Sequence, residues 1–323
     1  MVKRNALIPA MFALGSTLAS CNSGSDDSGL SGVTGTDDTV ITGADNTVIT
    51  GADNTIVGAG ESIVRPGLGV SEGAMDTQLV AQAAAEHIDA DWGILDLHVN
   101  ESNTYGLEKL VTGIAELKPG QEIHPPHTHE EEEFLFVAEG TGTWTVEDQQ
   151  FEAKKGDMLY AEPWKLHGVT NTSENPLTFY FFKWNNRGVA APAESDVTEA
   201  MGAMLTSVID QPSSHLIEDA WGSLNLYADG EATHGMDKMV TGIANILPSQ
   251  EIHPPHAHEE EEFLYLVSGS GTWTINGEQV EATAGDLLYA KPHDLHGILN
   301  TGDTMLTFYF IKWNNKGVTI SKE

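Results

Sequence analysis

Two nearly identical segments of this chain place histidine and glutamate at spacings that suit a metal ion. The first, EIHPPHTHEEEEFLFVAEG, covers residues 122–140, and the second, EIHPPHAHEEEEFLYLVSG, covers residues 251–269. Side chains of equal parity project from one face of a β-strand. If the segment is extended, His127, His129 and Glu133 can therefore all face the same interior.

A fourth candidate ligand lies further along each segment. The stretch GDMLYAEPWKLHGVTN places His167 after Pro163, and we expect this histidine on another strand that faces the same cavity. Three imidazoles and one carboxylate suit a borderline divalent metal and leave one or two positions open for water or substrate. The second segment supplies the same set in the same register: His256, His258, Glu262 and His296. The sequence therefore predicts two metal sites.

The other glutamates of the two segments are expected to lie outside these sites. Glu131 has the parity of the ligands, and the sequence leaves open whether a bulge or a turn removes it from the interior. The glutamates of opposite parity are expected to face solvent: Glu130, Glu132, Glu259 and Glu261.

Two further pairs of residues recur next to the predicted ligands. His124 and His253 lie just before the paired prolines and are expected in loops, with a second-shell or pocket-rim position as the alternative. Tyr160 and Tyr289 belong to the strand of the second motif. They are expected to pack, with a second-shell position or contact with substrate as the alternative.

Lysines and substituted positions bear on the chemistry of the two pockets. Lys183 and Lys312 recur in both copies. Their default orientation is outward, but a lysine that faces inward could hold a substrate carboxylate or enolate. Because two positions differ between the copies, the sequence leaves open whether the pockets are equivalent: Trp164 is replaced by His293, and His98 by Tyr227.

The chain contains two copies of one long unit. Residues 92–188 align without a gap to residues 221–317, always at an offset of 129 positions. Self-similarity at one long period indicates a duplicated domain rather than a short-repeat array. Strand signals dominate each copy, and helical periodicity occurs only at 75–87 and 197–209. We therefore predict an all-β protein of two barrels or sandwiches.

The spacing of the ligands resembles the two sequence signatures of the cupin superfamily. The first signature is matched by Gly120, His127, His129, Glu133 and Gly140, the second by Gly156, Pro163, His167 and Asn171, and the other half by Gly269, Gly285, Pro292 and Asn300. One extra residue precedes His127, and the family's glycine after the second-motif proline is missing, which affects loop shape rather than ligand identity. The resemblance implies a bicupin. Its two tandem jelly-roll barrels (double-stranded β-helices) would each hold one divalent transition metal (Cu, Zn, Fe, Mn or Ni) with three histidines and one glutamate.

The amino-terminal segment is typical of a targeting signal. Lys3 and Arg4 form a charged region, and the apolar stretch that follows is too short to span a bilayer. It ends in Leu-Ala-Ser-Cys, which resembles the bacterial lipobox, and Cys21 is the only cysteine of the chain. We predict a lipoprotein signal peptide at 1–20, lipidation of Cys21, and membrane contact through this lipid alone. Asn22 favours an outer-membrane or cell-surface location.

The remaining sequence divides into a spacer and two domains. Residues 21–74 are rich in Gly, Thr and Asp and repeat the octapeptide TVITGADN. An extended spacer is expected there, with a small solenoid or a partner-binding stalk as alternatives, and the Asp and Asn residues of the repeat could bind calcium. Cupin domain 1 is predicted at 75–195 and cupin domain 2 at 196–323.

Charge limits the choice of partners. The chain has 15 Lys and Arg residues against 48 Asp and Glu residues, a formal charge of −33. Such a field repels phosphate backbones, so we expect a small-molecule substrate and no nucleic acid; oligomerisation stays open. A chain that crosses the membrane unfolded acquires its metal outside the cytoplasm, where the affinity order favours copper or zinc.

Three functional classes fit the predicted metal sites. The first is an oxygen-dependent dioxygenase of enol-type compounds, similar to quercetin dioxygenases, in which Glu133 or Glu262 doubles as the catalytic base. The second is a metal-dependent lyase, decarboxylase or isomerase. Oxalate fits poorly, because neither ligand strand carries an arginine. The third is a non-catalytic lipoprotein that binds metal or a small ligand.

Overall fold

The alternating and aromatic-rich segments form β-strands. The computed structural model describes residues 74–196 and 204–320, all of which belong to one unit, Val40–Glu323. These residues form twenty strands and three single-turn 3₁₀ helices, with no α-helix among them. The targeting segment, Cys21 and the octapeptide repeats lie outside the described residues. Within that part of the chain, no helix is long and apolar enough to cross a membrane.

The first copy supplies ten strands. They are β1 (Gln78–Val80), β2 (Glu86–Ala90), β3 (Gly93–Ser102), β4 (Leu107–Leu117), β5 (Glu132–Glu139), β6 (Thr141–Val146), β7 (Gln149–Lys154), β8 (Met158–Ala161), β9 (His167–Thr170) and β10 (Leu177–Asn186). Two 3₁₀ helices accompany them, Gln82–Ala84 and Glu194–Asp196.

The second copy repeats this series. Its strands are β11 (Ser207–Ile209), β12 (His215–Asp219), β13 (Gly222–Glu231), β14 (Met236–Ile246), β15 (Glu261–Ser268), β16 (Ser270–Ile275), β17 (Glu278–Thr283), β18 (Leu287–Ala290), β19 (His296–Leu299) and β20 (Leu306–Asn315). The third 3₁₀ helix is Gln211–Ser213.

Each domain combines a seven-stranded sheet with a three-stranded sheet. In the first domain the orders are β11-β8-β5-β10-β4-β3-β2 and β7-β6-β9, and the second domain repeats them with β1-β18-β15-β20-β14-β13-β12 and β17-β16-β19. Apolar side chains from both sheets form one interior cluster, which in the first domain includes Leu135, Trp144, Val169 and Phe181. This is the all-β, jelly-roll type of fold that the sequence predicts.

The two domains exchange their first strands. β1 precedes the first domain but pairs with β18 of the second, whereas β11 precedes the second domain and pairs with β8 of the first. The prediction of helical structure at 75–87 is therefore wrong. Alanine favours a helix there, but Leu79 and Val80 pack against different apolar clusters on opposite faces. Tertiary pairing overrides a propensity that is weak over so few residues.

A second apolar cluster lies between the domains. Along β10, Phe181 faces the interior of its own domain, while Tyr180 and Phe182 face the other domain. The ring centroid of Phe182 lies 5.3 Å from that of Phe263, and Tyr180 lies 5.0 Å from Tyr265 in the same way. Both faces of each large sheet are therefore covered.

Two glutamates that were expected to face solvent are buried between the domains. Glu132 is 3% exposed and Glu261 is 1% exposed. The Glu261 carboxylate accepts hydrogen bonds from the backbone N–H groups of Tyr105 (3.1 Å) and Gly106 (2.8 Å) in the other domain. The expectation was wrong because the face that points away from the domain interior is covered by the second domain. Glu130 and Glu259 are exposed, as expected.

The same arrangement repeats around Glu132. Its carboxylate accepts hydrogen bonds from the backbone N–H groups of His234 (3.0 Å) and Gly235 (2.8 Å) and from the hydroxyl of Tyr160 (2.7 Å). Each buried carboxylate thus fixes a loop of the neighbouring domain, because backbone donors that are buried against it have no water as an alternative partner.

The Glu261 carboxylate accepts hydrogen bonds from four donors: the two backbone N–H groups named above, the hydroxyl of Tyr289 and the side-chain amide of Asn315. Glu261→Gln would place the NH₂ group of an amide among these donors. We therefore expect this variant to destabilise the protein by about 2–4 kcal/mol. Urea unfolding of the metal-free full chain measures the effect. The control Glu259→Gln, which changes an exposed glutamate, should shift the free energy of unfolding by less than about 0.5 kcal/mol. Equal stability of Glu261→Gln and the wild type would contradict the structural role.

Candidate metal centres

The predicted ligands come from a loop and two strands. His127 and His129 lie in the irregular segment between β4 and β5, Glu133 lies in β5, and His167 is the first residue of β9. The expectation of one extended strand from His127 to Glu133 is therefore wrong. His127 is instead held by a backbone bridge, in which it and His167 exchange N–H to carbonyl hydrogen bonds at 3.0 and 3.1 Å.

In the first domain, the four predicted side chains converge in the interior. Glu133 Oε2 lies 2.9 Å from Nε2 of His129 and 2.9 Å from Nε2 of His167. The ring centroid of His127 lies 5.0 Å from those of both other histidines. Ligand atoms of the three histidines lie within 4.8 Å of one another.

The second domain repeats this geometry. Glu262 Oε2 lies 2.9 Å from Nε2 of His258 and 3.1 Å from Nε2 of His296. The ring centroid of His256 lies 5.0 and 4.9 Å from those two rings. One ligand atom from each of the four residues lies within 4.8 Å of the others. The duplication therefore extends to the geometry of the site.

Backbone carbonyl groups orient two of the three rings in each site. In the first domain, His129 Nδ1 lies 3.0 Å from the carbonyl oxygen of Glu131, and His167 Nδ1 lies 2.7 Å from that of Lys165. The equivalent distances in the second domain are 3.0 and 2.8 Å. A histidine whose Nδ1–H donates to a carbonyl group presents Nε2 to a metal.

Burial and neighbouring charges set the protonation of the site. Burial, followed by repulsion from the neighbouring imidazoles, lowers the pKa of His127 to about 4 and that of His256 to about 4. Burial alone would raise the pKa of Glu133 and Glu262. Hydrogen bonds from two histidines in each site outweigh it and hold both pKa values well below the usual range. Neutral imidazole and ionised carboxylate are the forms that bind metals.

This donor set fits a divalent transition metal. With metal–ligand distances of about 2.0–2.2 Å, adjacent ligand atoms lie about 3 Å apart and opposite ones about 4.4 Å apart. The separations in the first site run from 2.9 Å for the Glu133 contacts to at most 4.8 Å among the histidines. A cation between these atoms would replace the direct contacts between the two Nε2 atoms and the carboxylate. Each domain therefore carries a metal-binding group of histidine and glutamate.

The turn before the last ligand keeps its shape without a glycine. Trp164 and His293 have left-handed backbone conformations, with φ of 63° and 66°. The N–H group of Trp164 donates to the carbonyl oxygen of His129 at 2.7 Å, and that of His293 donates to His258 at 2.7 Å. A left-handed non-glycine residue is uncommon, and here the hydrogen bond holds it against a ligand. The turn is thus tied to a ligand residue in each domain without a glycine.

The residues expected next to the sites fall into two groups. The ring centroid of His124 lies 3.9 Å from that of His127, and the ring centroid of His253 lies 4.0 Å from that of His256. Since both rings are exposed and touch a ligand, they occupy the pocket-rim position given above as the alternative.

Tyr160 and Tyr289 lie on the opposite face of their sheets from the ligands. Both belong to the interdomain cluster, and their hydroxyls donate to Glu132 (2.7 Å) and Glu261 (2.6 Å). They pack, as expected, and the second-shell alternative is wrong, because strand alternation turns them toward the other domain.

The substituted pair His98 and Tyr227 also lies between the domains. His98 Nε2 lies 2.7 Å from the carbonyl oxygen of Gly285, and the hydroxyl of Tyr227 donates to the carbonyl oxygen of Gly156. The two contacts are equivalent: in each, a side chain of one domain bonds to the corresponding glycine carbonyl of the other domain. This difference between the copies therefore does not alter the metal sites.

Two charged residues whose orientation the sequence left undecided lie next to each site. Glu131 is buried, and its Oε2 lies 3.4 Å from Nδ1 of His129. Lys183 is opposite Glu133 in the pairing of β10 with β5, so it faces inward rather than outward, as does Lys312 in the second domain. The sequence could not predict this direction, because aromatic residues lie on both faces of the strand and do not show which face is interior.

A family profile described as "Cupin domain" matches residues 113–183 and 242–312. Among curated proteins, residues of this chain are 34% identical over 76 residues to a gentisate 1,2-dioxygenase of Streptomyces sp, which covers 23% of this chain and 21% of that protein. The chain is also 41% identical over 54 residues to an oxalate-binding protein of Thermotoga maritima, and this match covers 16% of this chain and 45% of that protein. The chain thus matches less than half the length of each of these relatives.

Solved structures resemble this chain over most of its length. A Bacillus subtilis oxalate decarboxylase superposes with a TM-score of 0.56 at 16% identity, covering 76% of this chain and 79% of the other. A putative glyoxylate-induced protein from Pseudomonas aeruginosa superposes with a TM-score of 0.58 at 18% identity, covering 82% and 100%. At such identities these similarities show the fold.

The fold and the two sites define a class of protein in which tandem jelly-roll domains each hold a metal-binding group of histidine and glutamate. With the Cupin domain profile matching in both halves, the chain carries two cupin domains in tandem, which is the arrangement of a bicupin.

We expect the affinity for a divalent cation to rise as the pH increases through and above the ordinary titration range of histidine and then to level off. Burial would lower the pKa of His167 and His296, but their bonds to the glutamate raise it. A proton must therefore leave each ring before the metal binds, and protons are scarcer at higher pH. Chelator competition with Zn²⁺ at several pH values measures the effect. Affinity that stays constant or falls as the pH rises would contradict it.

Proposed function

We propose that this bicupin is a metal-dependent enzyme that acts on a small organic substrate, and that its reaction is the oxygen-dependent cleavage of an enol-type compound. The observation that carries the proposal is the convergence of three imidazoles and one carboxylate inside each domain. In the second domain one ligand atom from each of the four residues lies within 4.8 Å of the others. In the first domain the same limit holds for the three histidines, and Glu133 lies 2.9 Å from two of them. Four protein ligands leave room on a transition metal for one or two substrate atoms. The similarity to a gentisate 1,2-dioxygenase supports this class.

A divalent cation in this site would act as a Lewis acid and lower the pKa of a substrate hydroxyl group. The residues of the chain orient and protect the reaction. Glu133 and Glu262 are the proposed catalytic bases. In the metal-free protein, hydrogen bonds from two histidines outweigh burial and hold the pKa of each carboxyl group well below its usual range. Each carboxylate is therefore available as a proton acceptor beside the position of the substrate. The proposed oxidant is dioxygen, both atoms of which would enter the product.

His124 and His253 would shape the opening through which substrate enters. Each ring contacts the ligand histidine behind it and is exposed on its other side. The apolar clusters on the inner side of the sites, including Leu135 and Phe181 in the first domain, would exclude water from the reacting groups.

A metal-dependent decarboxylase or other lyase is the second candidate. The sequence argued against a small dianion, since no arginine lies on the ligand strands. The inward position of Lys183 opposite Glu133 supplies a local cation and weakens that argument. The structural similarity to oxalate decarboxylase and the sequence similarity to an oxalate-binding protein favour the same candidate.

For the metal, we propose copper or zinc at both sites. The lipobox-like sequence at Cys21 predicts export, and an exported chain would acquire its metal in the cell envelope, where the affinity order favours these two metals. Elemental analysis of protein from its native envelope tests this, and a majority of manganese would contradict it.

We expect the double variant His127→Ala, His256→Ala to lose turnover, and each single variant to keep about half if the two sites act independently. An oxygen electrode measures uptake with a panel of enols, diketones, flavonoids and keto acids, and mass spectrometry identifies products. The matched control is Lys155→Met, on the surface.

The outcomes separate the candidates. Carbon dioxide release without oxygen uptake identifies the lyase. A ligand-induced rise in melting temperature without any product identifies a binding protein. Variants that match the wild type in a validated assay would refute a catalytic role for the metal.

A further inference from the structure

Lys183 and Lys312 lie inside the two domains beside the carboxylate ligands. Lys183 is directly opposite Glu133 where β10 pairs with β5, and opposite Val111 where β10 pairs with β4. Lys312 is opposite Glu262 in the same way. Directly opposed side chains of an antiparallel pair share one face of the sheet and lie within about 5.5 Å at Cβ. Each lysine therefore projects from the face that carries the glutamate ligand.

The alternation of β10 confirms this direction. Phe179 and Phe181, four and two positions before Lys183, belong to the interior cluster of the first domain. Phe182 and Trp184 on either side belong to the interdomain cluster. Lys183 thus continues an apolar row and is half-buried. A charged group at the end of an apolar row is costly unless it has an anionic partner.

The other lysine near the site already has its partners. Lys109 Nζ lies 3.0 Å from a carboxylate oxygen of Glu101 and 3.1 Å from one of Glu131. Lys183 has no carboxylate oxygen within 4.0 Å among residues 74–196 and 204–320. Burial would raise the pKa of Glu131, but the nearby charge of Lys183 helps to lower it. In the second domain, Lys238 pairs with Glu260 at 3.0 Å and repeats the role of Lys109.

The balance of charge around the first site favours an anion. The buried carboxylates of Glu131 and Glu133 are matched in number by Lys109 and Lys183. A divalent cation would then leave the pocket positive, although the chain as a whole carries a formal charge of −33. A positive pocket with apolar walls concentrates small anions.

We propose that Lys183 and Lys312 are substrate-binding residues that hold an anionic oxygen of the substrate while a neighbouring oxygen of the same molecule occupies the metal. This inference rests on the proposed function and narrows the substrate to small carboxylates with an adjacent keto, enol or hydroxyl oxygen. A lysine suits this role because its ammonium is a compact charge that binds one oxygen without demanding a bidentate partner.

Pyruvate binding to the Co²⁺-loaded full chain tests the proposal without requiring turnover. We expect Lys183→Met, Lys312→Met to weaken the affinity for pyruvate about tenfold or more, the loss that follows from removing one charged hydrogen bond at each site. The visible absorption of Co²⁺ reports binding. Imidazole, a neutral metal ligand, should bind the variant and the wild type equally.

Matched variants separate charge from folding. Lys155→Met removes the same charge from an exposed position beside Glu139 and should leave the affinity for pyruvate unchanged. Lys183→Arg, Lys312→Arg keeps the charge and should recover part of the affinity. Lys183→Gln, Lys312→Gln provides a second neutral pair if the methionine variant does not fold.

Two results would overturn the proposal. One is unchanged affinity for pyruvate in the folded neutral variants, and the other is loss of Co²⁺ from them, since that assigns the lysines a structural role. Absence of oxygen uptake would refute the proposed dioxygenase but leave the pyruvate result standing, so the two failures can be told apart.

Discussion

A glutamate carboxylate buried in the interior of each domain is the constraint on which the rest of the structure depends. A buried carboxylate costs several kcal/mol unless hydrogen-bonding groups surround it. Glu133 satisfies this with two imidazoles at 2.9 Å. The backbone bridge between His127 and His167, and the carbonyl groups that hold the Nδ1 atoms, keep the rings in place. The site is thus preorganised by the strand ends that carry it.

Consecutive glutamates tie this site to the domain interface. Glu131 lies behind the ligand His129, Glu132 binds backbone donors of the second domain, and Glu133 faces the metal position. Because β5 alternates between its two faces, one short acidic run serves the pocket and the interface together. The exchange of β1 and β11 between the large sheets adds a second connection. We therefore expect the two domains to fold and bind metal as one unit.

The sequence predicted the duplication, the all-β fold and the identity of the converging residues, because ligand spacing and strand patterns are local properties. It misassigned Glu132 and Glu261, since which face of a sheet is covered depends on a partner domain that periodicity does not show. The helical periodicity near Val80 was wrong for the same reason, as a strand exchanged between domains is a long-range contact. The direction of Lys183 could have been inferred from its spacing to Phe179 and Phe181, once β10 was known to have an apolar row on both faces.

The central claim is that each domain holds one cation between three imidazoles and a carboxylate. Anomalous X-ray diffraction from crystals of the Co²⁺-loaded full chain tests it most directly. The account predicts two strong peaks per chain, each about 2.0–2.3 Å from one ligand atom of His127, His129, Glu133 and His167 or of their counterparts in the second domain. Peaks at other residues, or no peak in a domain whose four side chains are ordered, would contradict it.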